Sequence, residues 1–207
     1  MTAPSGAGFL FVGGDPAVDL ANTVIQVGGA RVDLLDGDGA ADRWLAEART
    51  RHPAAFAAVD VPTGALPVDP GAARALRDAV RRLVEALALA GRVEAVDIGL
   101  AGLDGFLVQH PVALAVRRVG ERRFERHLVP AGPAAGNVAL VPVAAAAVDL
   151  VADPAGPATL RQCDDGACIL LFRDTSRNRR RRWCSMQLCG NRAKVAAHYR
   201  RSHARDA

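Results

Sequence analysis

The sequence predicts an α+β fold: a mostly helical domain with one β-hairpin over residues 1–154, then a small treble-clef-like module over residues 155–207. Three observations lead there. Half of the 207 residues are hydrophobic but only 4% are aromatic, so the core is built from Ala, Val and Leu and favours helices. Asp-Pro recurs at Asp15-Pro16, Asp69-Pro70 and Asp153-Pro154, each pair reading as a helix N-cap followed by proline in the first turn. The four cysteines, Cys163, Cys168, Cys184 and Cys189, all lie in the last quarter of the chain.

The elements follow in order. A short strand is expected at FLFV (9–12), then a helix from Pro16 to about Val27 that stops at Gly28-Gly29. AADRWLAEAR, carrying Trp44, reads as a second helix. From Pro70 to Ala90, apolar residues recur at Leu76, Val80, Leu83 and Leu87 before Gly91, the strongest helical signal in the chain. A further helix spans about Val93 to Val108. VALAVRRV and RRFERHLVP, separated by Gly120-Glu121, read as a β-hairpin. The alanine-rich run from Pro142 to Ala152 reads as a buried helix, and Gly156-Pro157 as a linker. Beyond it, ILLF (169–172) and RRRW (180–183) read as the two strands of a hairpin across RDTSRNR, and residues 191–203 as a helix free of Gly and Pro.

The cysteines are spaced C-x(4)-C-x(15)-C-x(4)-C. Two thiolate pairs flanking a spacer of this length match a tetrahedral Zn2+ site. Two disulfides are the competing arrangement, disfavoured in a reducing cytoplasm. A second ligand set, Cys184, Cys189, His198 and His203, would strand Cys163 and Cys168, and its spacing from Cys189 to His198 is short for that class of finger. The four-cysteine set is preferred.

Charge is concentrated around this module. Residues 161–207 hold 12 Lys/Arg against 4 Asp/Glu, a net +8, and the preceding 160 residues hold 14 against 18, a net −4. Such asymmetry points to a cationic binding module on a mildly acidic body. Arg177, Arg179, Arg180, Arg181 and Arg182 cluster before the third cysteine, and Lys194, His198 and Arg201 recur at helical spacing after the fourth. A cationic patch of this kind contacts phosphates and gives salt-dependent binding. Asn191, Arg192 and His198 are the candidates for base edges, and Trp183 and Tyr199 for covering the metal site.

DTSRNRRRRWCSMQLCGNRAKVAAHYRR, from Asp174 to Arg201, resembles the CGNR zinc-finger family, through its RWCSM and CGNRAK elements. FVGGDPAVDLANTV, from Phe11 to Val24, resembles the opening of the ABATE domain that accompanies this finger in bacterial proteins described as stress-induced transcription regulators. The resemblance implies zinc held by Cys163, Cys168, Cys184 and Cys189, and DNA as the partner.

Elsewhere, Asp19, Asn22, Trp44 and Arg77, with Thr23 and Arg81 nearby, are candidates for a small-molecule effector pocket. No HExxH, GxSxG or Cys-His nucleophile pattern occurs, and four thiolates leave no open position for an activated water, so no enzyme is expected. No apolar run approaches the roughly 20 residues needed to cross a bilayer, and the N-terminus lacks a basic, then apolar, signal pattern; a cytoplasmic protein without membrane association follows. The expected function is zinc-dependent DNA binding in transcriptional control, as a monomer or homodimer. The alternatives are an RNA-binding or ribosome-associated factor, and an effector-binding body carrying a purely structural zinc clip.

Overall fold

The computed structural model describes residues 8–61, 67–89, 93–132 and 136–203. Helix α1 (Pro16–Ala21) begins where expected: Asp15 accepts from the Ala17 N–H at 2.9 Å, and Pro16 fills the first turn. It ends at Ala21, one turn and a half before the expected stop, with Asn22 as its C-cap. Val24–Val27 (β1) instead pairs antiparallel with Ala30–Asp33 (β2). The reason is local. Thr23, Val24, Ile25 and Val27 are β-branched, and Gly28-Gly29 takes φ of 58° and 86°, the doubly left-handed turn that closes a two-residue hairpin. The FLFV segment forms no ladder; Phe11 lies against Trp44 with ring centroids 6.1 Å apart.

Helix α2 (Ala40–Arg51) and the short α3 (Pro53–Ala57), which no sequence signal marked, lead to α4 (Pro70–Ala88). Asp69 caps α4 by accepting from the Gly71 N–H at 2.8 Å, and Leu76, Val80 and Leu83 are buried as their spacing requires. The expected closure at Gly91 lies outside the described residues. Helix α5 (Val93–Gln109) crosses α4 closely because glycines face it. A Cβ on Gly99 would lie 2.9 Å from the Leu83 backbone nitrogen, and one on Gly102 2.7 Å from the Ala79 Cβ. The expected hairpin is present as β3 (Val112–Arg118) and β4 (Phe124–Pro130), in register from Val112 opposite Pro130 to Arg118 opposite Phe124. A 3-10 turn (Gly136–Leu140) then enters α6 (Val141–Ala152), whose Val143, Ala144, Ala147 and Leu150 are buried.

Asp153-Pro154 does not start a helix. Asp153 is the C-cap of α6, and the next helix is α7 (Gly156–Thr159). Gly156-Pro157 is therefore packed structure and not a linker: a Cβ on Gly156 would sit 1.8 Å from the Leu150 carbonyl oxygen. The expected hairpin of ILLF with RRRW is also absent. Leu171–Arg173 (β6) pairs with Leu160–Gln162 (β5), and residues 180–183 run irregularly beside the turn, with the Arg182 carbonyl accepting from the Asp164 N–H. Three residues of LRQ are too short to show a strand pattern, so the true partner of β6 is hidden in the sequence. A π-helical turn (Met186–Gly190) passes straight into α8 (Asn191–His203).

Two apolar clusters result. The larger gathers α1, α2, α4, α5 and α6 around Trp44, Leu76 and Leu140, and reaches Leu160 and Leu171 of the small sheet. The smaller joins Cys163, Leu170, Phe172, Cys184 and Cys189 to Ile25 and Leu34, with Phe9, Leu10, Val12 and Val32 packed against it. The cysteine module thus borrows part of its core from the N-terminal 34 residues.

Candidate metal centre and nucleic-acid interface

The β5–β6 hairpin carries the first cysteine pair in its turn. Cys163 follows β5 and donates its N–H to the Leu170 carbonyl at 2.9 Å. Asp165 shapes the turn, its side chain accepting from the Ala167 N–H at 3.0 Å and its carbonyl from the Cys168 N–H at 2.8 Å. Of the second pair, Cys184 precedes the π-helical turn and Cys189 lies within it, and Ser185 caps the turn through its hydroxyl at Leu188 N–H and its carbonyl at Gly190 N–H.

The four sulfur atoms lie within 4.8 Å of one another. Cys168 and Cys184 Sγ are 3.9 Å apart, and Cys184 and Cys189 Sγ 3.6 Å. A tetrahedron with metal–sulfur bonds of about 2.3 Å has edges of about 3.8 Å, so the donor set fits a tetrahedral metal ion. A disulfide needs about 2.05 Å, and all four cysteines are free. The alternative set including His198 and His203 has its histidine side chains outside the described residues.

The electrostatics agree with a cation site. The hydrogen bond from Cys184 lowers the Cys168 thiol to a pKa of about 5. That shared proton and burial push Cys184 upward, and burial raises Cys189 to about 12. One thiolate forms readily here. Four require a positive charge among them.

Arg192 braces the cluster from the first turn of α8. Its Nε donates to Asp165 Oδ2 at 2.6 Å and its Nη2 to Cys189 Sγ at 3.2 Å. The sequence nominated Arg192 for a base edge; in the structure it ties the two cysteine knuckles together, the outer-shell role that orients metal ligands.

The arginine run divides by position. Arg181 points inward: its guanidinium lies 4.3 Å from the Phe172 ring centroid, and it donates to the carbonyls of Trp183, Val12 and Cys184. Arg182 is ion-paired to Asp164 at 2.6 Å and lies over Trp183. Arg177, Arg179 and Arg180 are exposed, and no carboxylate of the described residues pairs with them. Sequence reasoning missed the residue that organises this loop. Asp174, fully buried, accepts from Ser176 N–H at 3.0 Å, Ser176 Oγ at 2.5 Å and Arg181 N–H at 2.9 Å. Burial alone would raise its carboxyl, but these hydrogen bonds hold it below the ordinary value. The Asp-Thr-Ser tripeptide, which favours side chain to backbone turns, was the available signal. Arg179 takes a left-handed φ of 47°, costing roughly 1–2 kcal/mol for a residue with a Cβ, and its N–H bonds the Ser176 carbonyl at 3.1 Å.

Asn191 and Lys194 are exposed on α8. His198 and Arg201 occupy its later turns, but their side chains lie outside the described residues. Tyr199 does not cover the metal site; it is exposed, as are Val195, Met186 and Leu188. Trp183 does pack there.

The residues expected to line an effector pocket are engaged by the protein itself. Asp19 accepts from Gly13 N–H at 2.6 Å and meets His52 Nε2 at 2.7 Å. Asn22, 1% exposed, behaves like a strand neighbour to β6: its Nδ2 donates to the Leu171 carbonyl at 2.8 Å and its Oδ1 accepts from the Leu171 N–H at 2.9 Å. Trp44 fills the larger core, and Arg77 pairs with Asp33 at 2.6 Å and Asp78 at 2.7 Å. Arg81 pins the same junction, donating to the carbonyls of Ala21 and Ile169, and Arg173 pairs with Asp15 at 3.2 Å. The cysteine module is thus hydrogen-bonded to α1 and α4 by buried or half-buried polar groups.

No helix of the described residues is long and apolar enough to cross a membrane. No curated protein matches the chain. Two family models match it: the CGNR zinc finger over residues 159–202, and ABATE, described as "Putative stress-induced transcription regulator", over residues 14–154. With that second match covering well over half its length, the chain belongs to the ABATE family and carries a CGNR zinc finger at its C-terminal end.

Proposed function

We propose that this is a cytoplasmic transcription regulator, a binding protein and not an enzyme, whose C-terminal module grips duplex DNA once Zn2+ is held by Cys163, Cys168, Cys184 and Cys189. The observation that carries the reading is the loop at 177–180. A buried carboxylate, Asp174, ties down both ends of it, and Arg177, Arg179 and Arg180 project from it without acidic partners among the described residues. A loop backbone fixed beside a metal-held knuckle presents these exposed guanidiniums to phosphate oxygens, so binding has to order their side chains but not the loop. Lys194 adds charge from α8, and Asn191 at its N-terminal end is placed to meet a base edge or a phosphate.

Zinc is the metal we assign, since four tetrahedral thiolates suit Zn2+ or an iron–sulfur centre and the module matches a zinc-finger family. Bound there, it supplies the charge that lets all four cysteines remain thiolates and closes both knuckles. The chain's own residues then do the rest: Arg192 orients Cys189, Arg181 covers Phe172, and Asp174 fixes the loop.

Fluorescence anisotropy of labelled duplex DNA and of structured RNA, with metal-loaded and chelator-treated protein, tests the proposal. Preferential binding of the duplex by the loaded protein supports it. Equal or tighter binding of RNA transfers the interface to an RNA-binding role, and binding that survives complete metal removal contradicts the metal-dependent grip.

A further inference from the structure

The β3–β4 hairpin has features that the DNA-binding reading does not use. Its side chains alternate, so Leu114, Val116 and Arg118 on β3 share one face with Phe124, which sits directly opposite Arg118. Leu114 is 69% exposed, Val116 75% and Phe124 59%, a large apolar commitment to water for one small hairpin. The same face also meets the body, where Val112 and Leu128 pack against the larger core and Arg126 pairs with Asp149 of α6; on the other face Arg117 donates to the Ala57 carbonyl and His127 is buried.

The two edges of the hairpin differ. The β4 edge is partly covered, because Leu128 bonds to Ala58 and Asp60. The β3 edge has no ladder partner among the described residues. Open edges are normally blunted by proline, an inserted bulge or a charged residue within the strand. β3 follows Pro111 and carries its charges only at the tip end, Arg117 and Arg118; its central VALAV (112–116) has none of these devices, and its pairing with β4 is unbroken from Val112 to Arg118. A two-stranded sheet of this length is marginal alone in water.

We propose that the β3 edge is the contact between two copies of this chain, which pair antiparallel about a two-fold axis at Ala115 to make one four-stranded sheet. The aliphatic edge is complementary to itself, which favours a second copy, and the charge pattern selects this orientation. Arg117, Arg118, Arg122 and Arg123 crowd the hairpin tip. An antiparallel two-fold sends the two tips to opposite ends of the sheet, whereas a parallel pairing would stack them. In the same register Leu114 lies across from the partner's Val116, so each exposed aliphatic residue gains an aliphatic neighbour on its own face. Arg117 and Arg118 lie across from the partner's Ala113 and the partner's Val112, and no two arginines are opposed.

Sedimentation velocity of the full-length, metal-loaded protein over a concentration series tests this, with the Leu114→Lys/Val116→Lys double variant alongside. The wild type is expected to approach twice the 21.6 kDa chain mass, and the double variant to stay at the single-chain mass with an unchanged circular dichroism spectrum. Ala115→Cys and Ala113→Cys give a second test that leaves the apolar face intact. Under mild oxidant, judged against wild type, Ala115→Cys should form a covalent dimer, because only position 115 meets its own copy, and Ala113→Cys should not. A monomeric wild type, a dimer that persists in a folded double variant, or equal cross-linking at 113 and 115 would each overturn the proposal.

Discussion

Asn22→Ala should weaken the junction between the N-terminal helix and the cysteine module more than any exposed substitution. Asn22 is buried, and its amide satisfies both the N–H and the C=O of Leu171, at 2.9 and 2.8 Å. Alanine leaves both backbone groups enclosed without partners. An unsatisfied buried group costs about 1–3 kcal/mol, so the pair together amounts to roughly 2–5 kcal/mol, because the two losses share one side chain and one strand. For a chain of this size, each kcal/mol lowers Tm by about 2–4 °C, and a drop on the order of 10 °C is expected. Thermal unfolding followed by circular dichroism on the metal-loaded protein measures it, with urea unfolding as a second probe. Metal release to a chromogenic chelator should also quicken, since Leu171 begins the strand that follows the first cysteine knuckle. A melting point within about 1 °C of wild type, with unchanged metal release, would refute the view that this amide holds the module to the body.

Other perturbations separate the remaining roles. Cys184→Ser should abolish stoichiometric metal binding and leave the C-terminal module unfolded, checked by metal analysis and by amide exchange of residues 160–190; retained metal and protection would contradict a four-cysteine site. Asp174 has a folded pKa below its ordinary value, so its contribution to stability is present above the unfolded pKa of about 3.9 and is lost as pH falls through the lower folded value. Asp174→Asn should remove that part of the acid limb of the stability–pH curve and cost about 1–3 kcal/mol at neutral pH; an unchanged curve counts against its anchoring role. Arg181→Ala, which strips the cover from Phe172 and three carbonyl contacts, should cost about 2–3 kcal/mol, whereas Arg180→Ala at an exposed position should stay within about 0.5 kcal/mol of wild type in the same urea titration.

The helices that carry the body were legible because their signals are local. The 3.6-residue spacing of Leu76, Val80 and Leu83 and the cap at Asp69 depend on a few neighbours in sequence, and α4 begins where they place it. The cysteine spacing was equally direct, since the four residues whose sulfurs cluster are distinctive in type and number. What failed was non-local pairing or competition between signals. Helix α1 stops early because β-branched residues before Gly28-Gly29 gain more from a hairpin than from another helical turn. The strand at 171–173 chose a partner too short to announce itself. Arg181 and its neighbours are identical in the sequence, and only the Phe172 ring and the Val12 carbonyl, far away along the chain, decide that this one turns inward. Asn22 and Arg77 carried polar chemistry that looked available to a ligand, but Leu171 and Asp33 lie where only the fold could put them.

The central claim, an arginine loop held out to grip DNA phosphates, is tested most directly by the salt dependence of DNA affinity. The comparison is between the metal-loaded wild type and the Arg177→Ser/Arg179→Ser/Arg180→Ser variant, with Arg181 left in place to protect the fold. Each phosphate contact contributes about 0.9 to the slope of log K against log salt. Loss of three contacts should flatten that slope by about 2.7 and weaken binding uniformly across sequences. A folded variant with the wild-type slope, or a wild type that binds no DNA at moderate salt, would contradict the account.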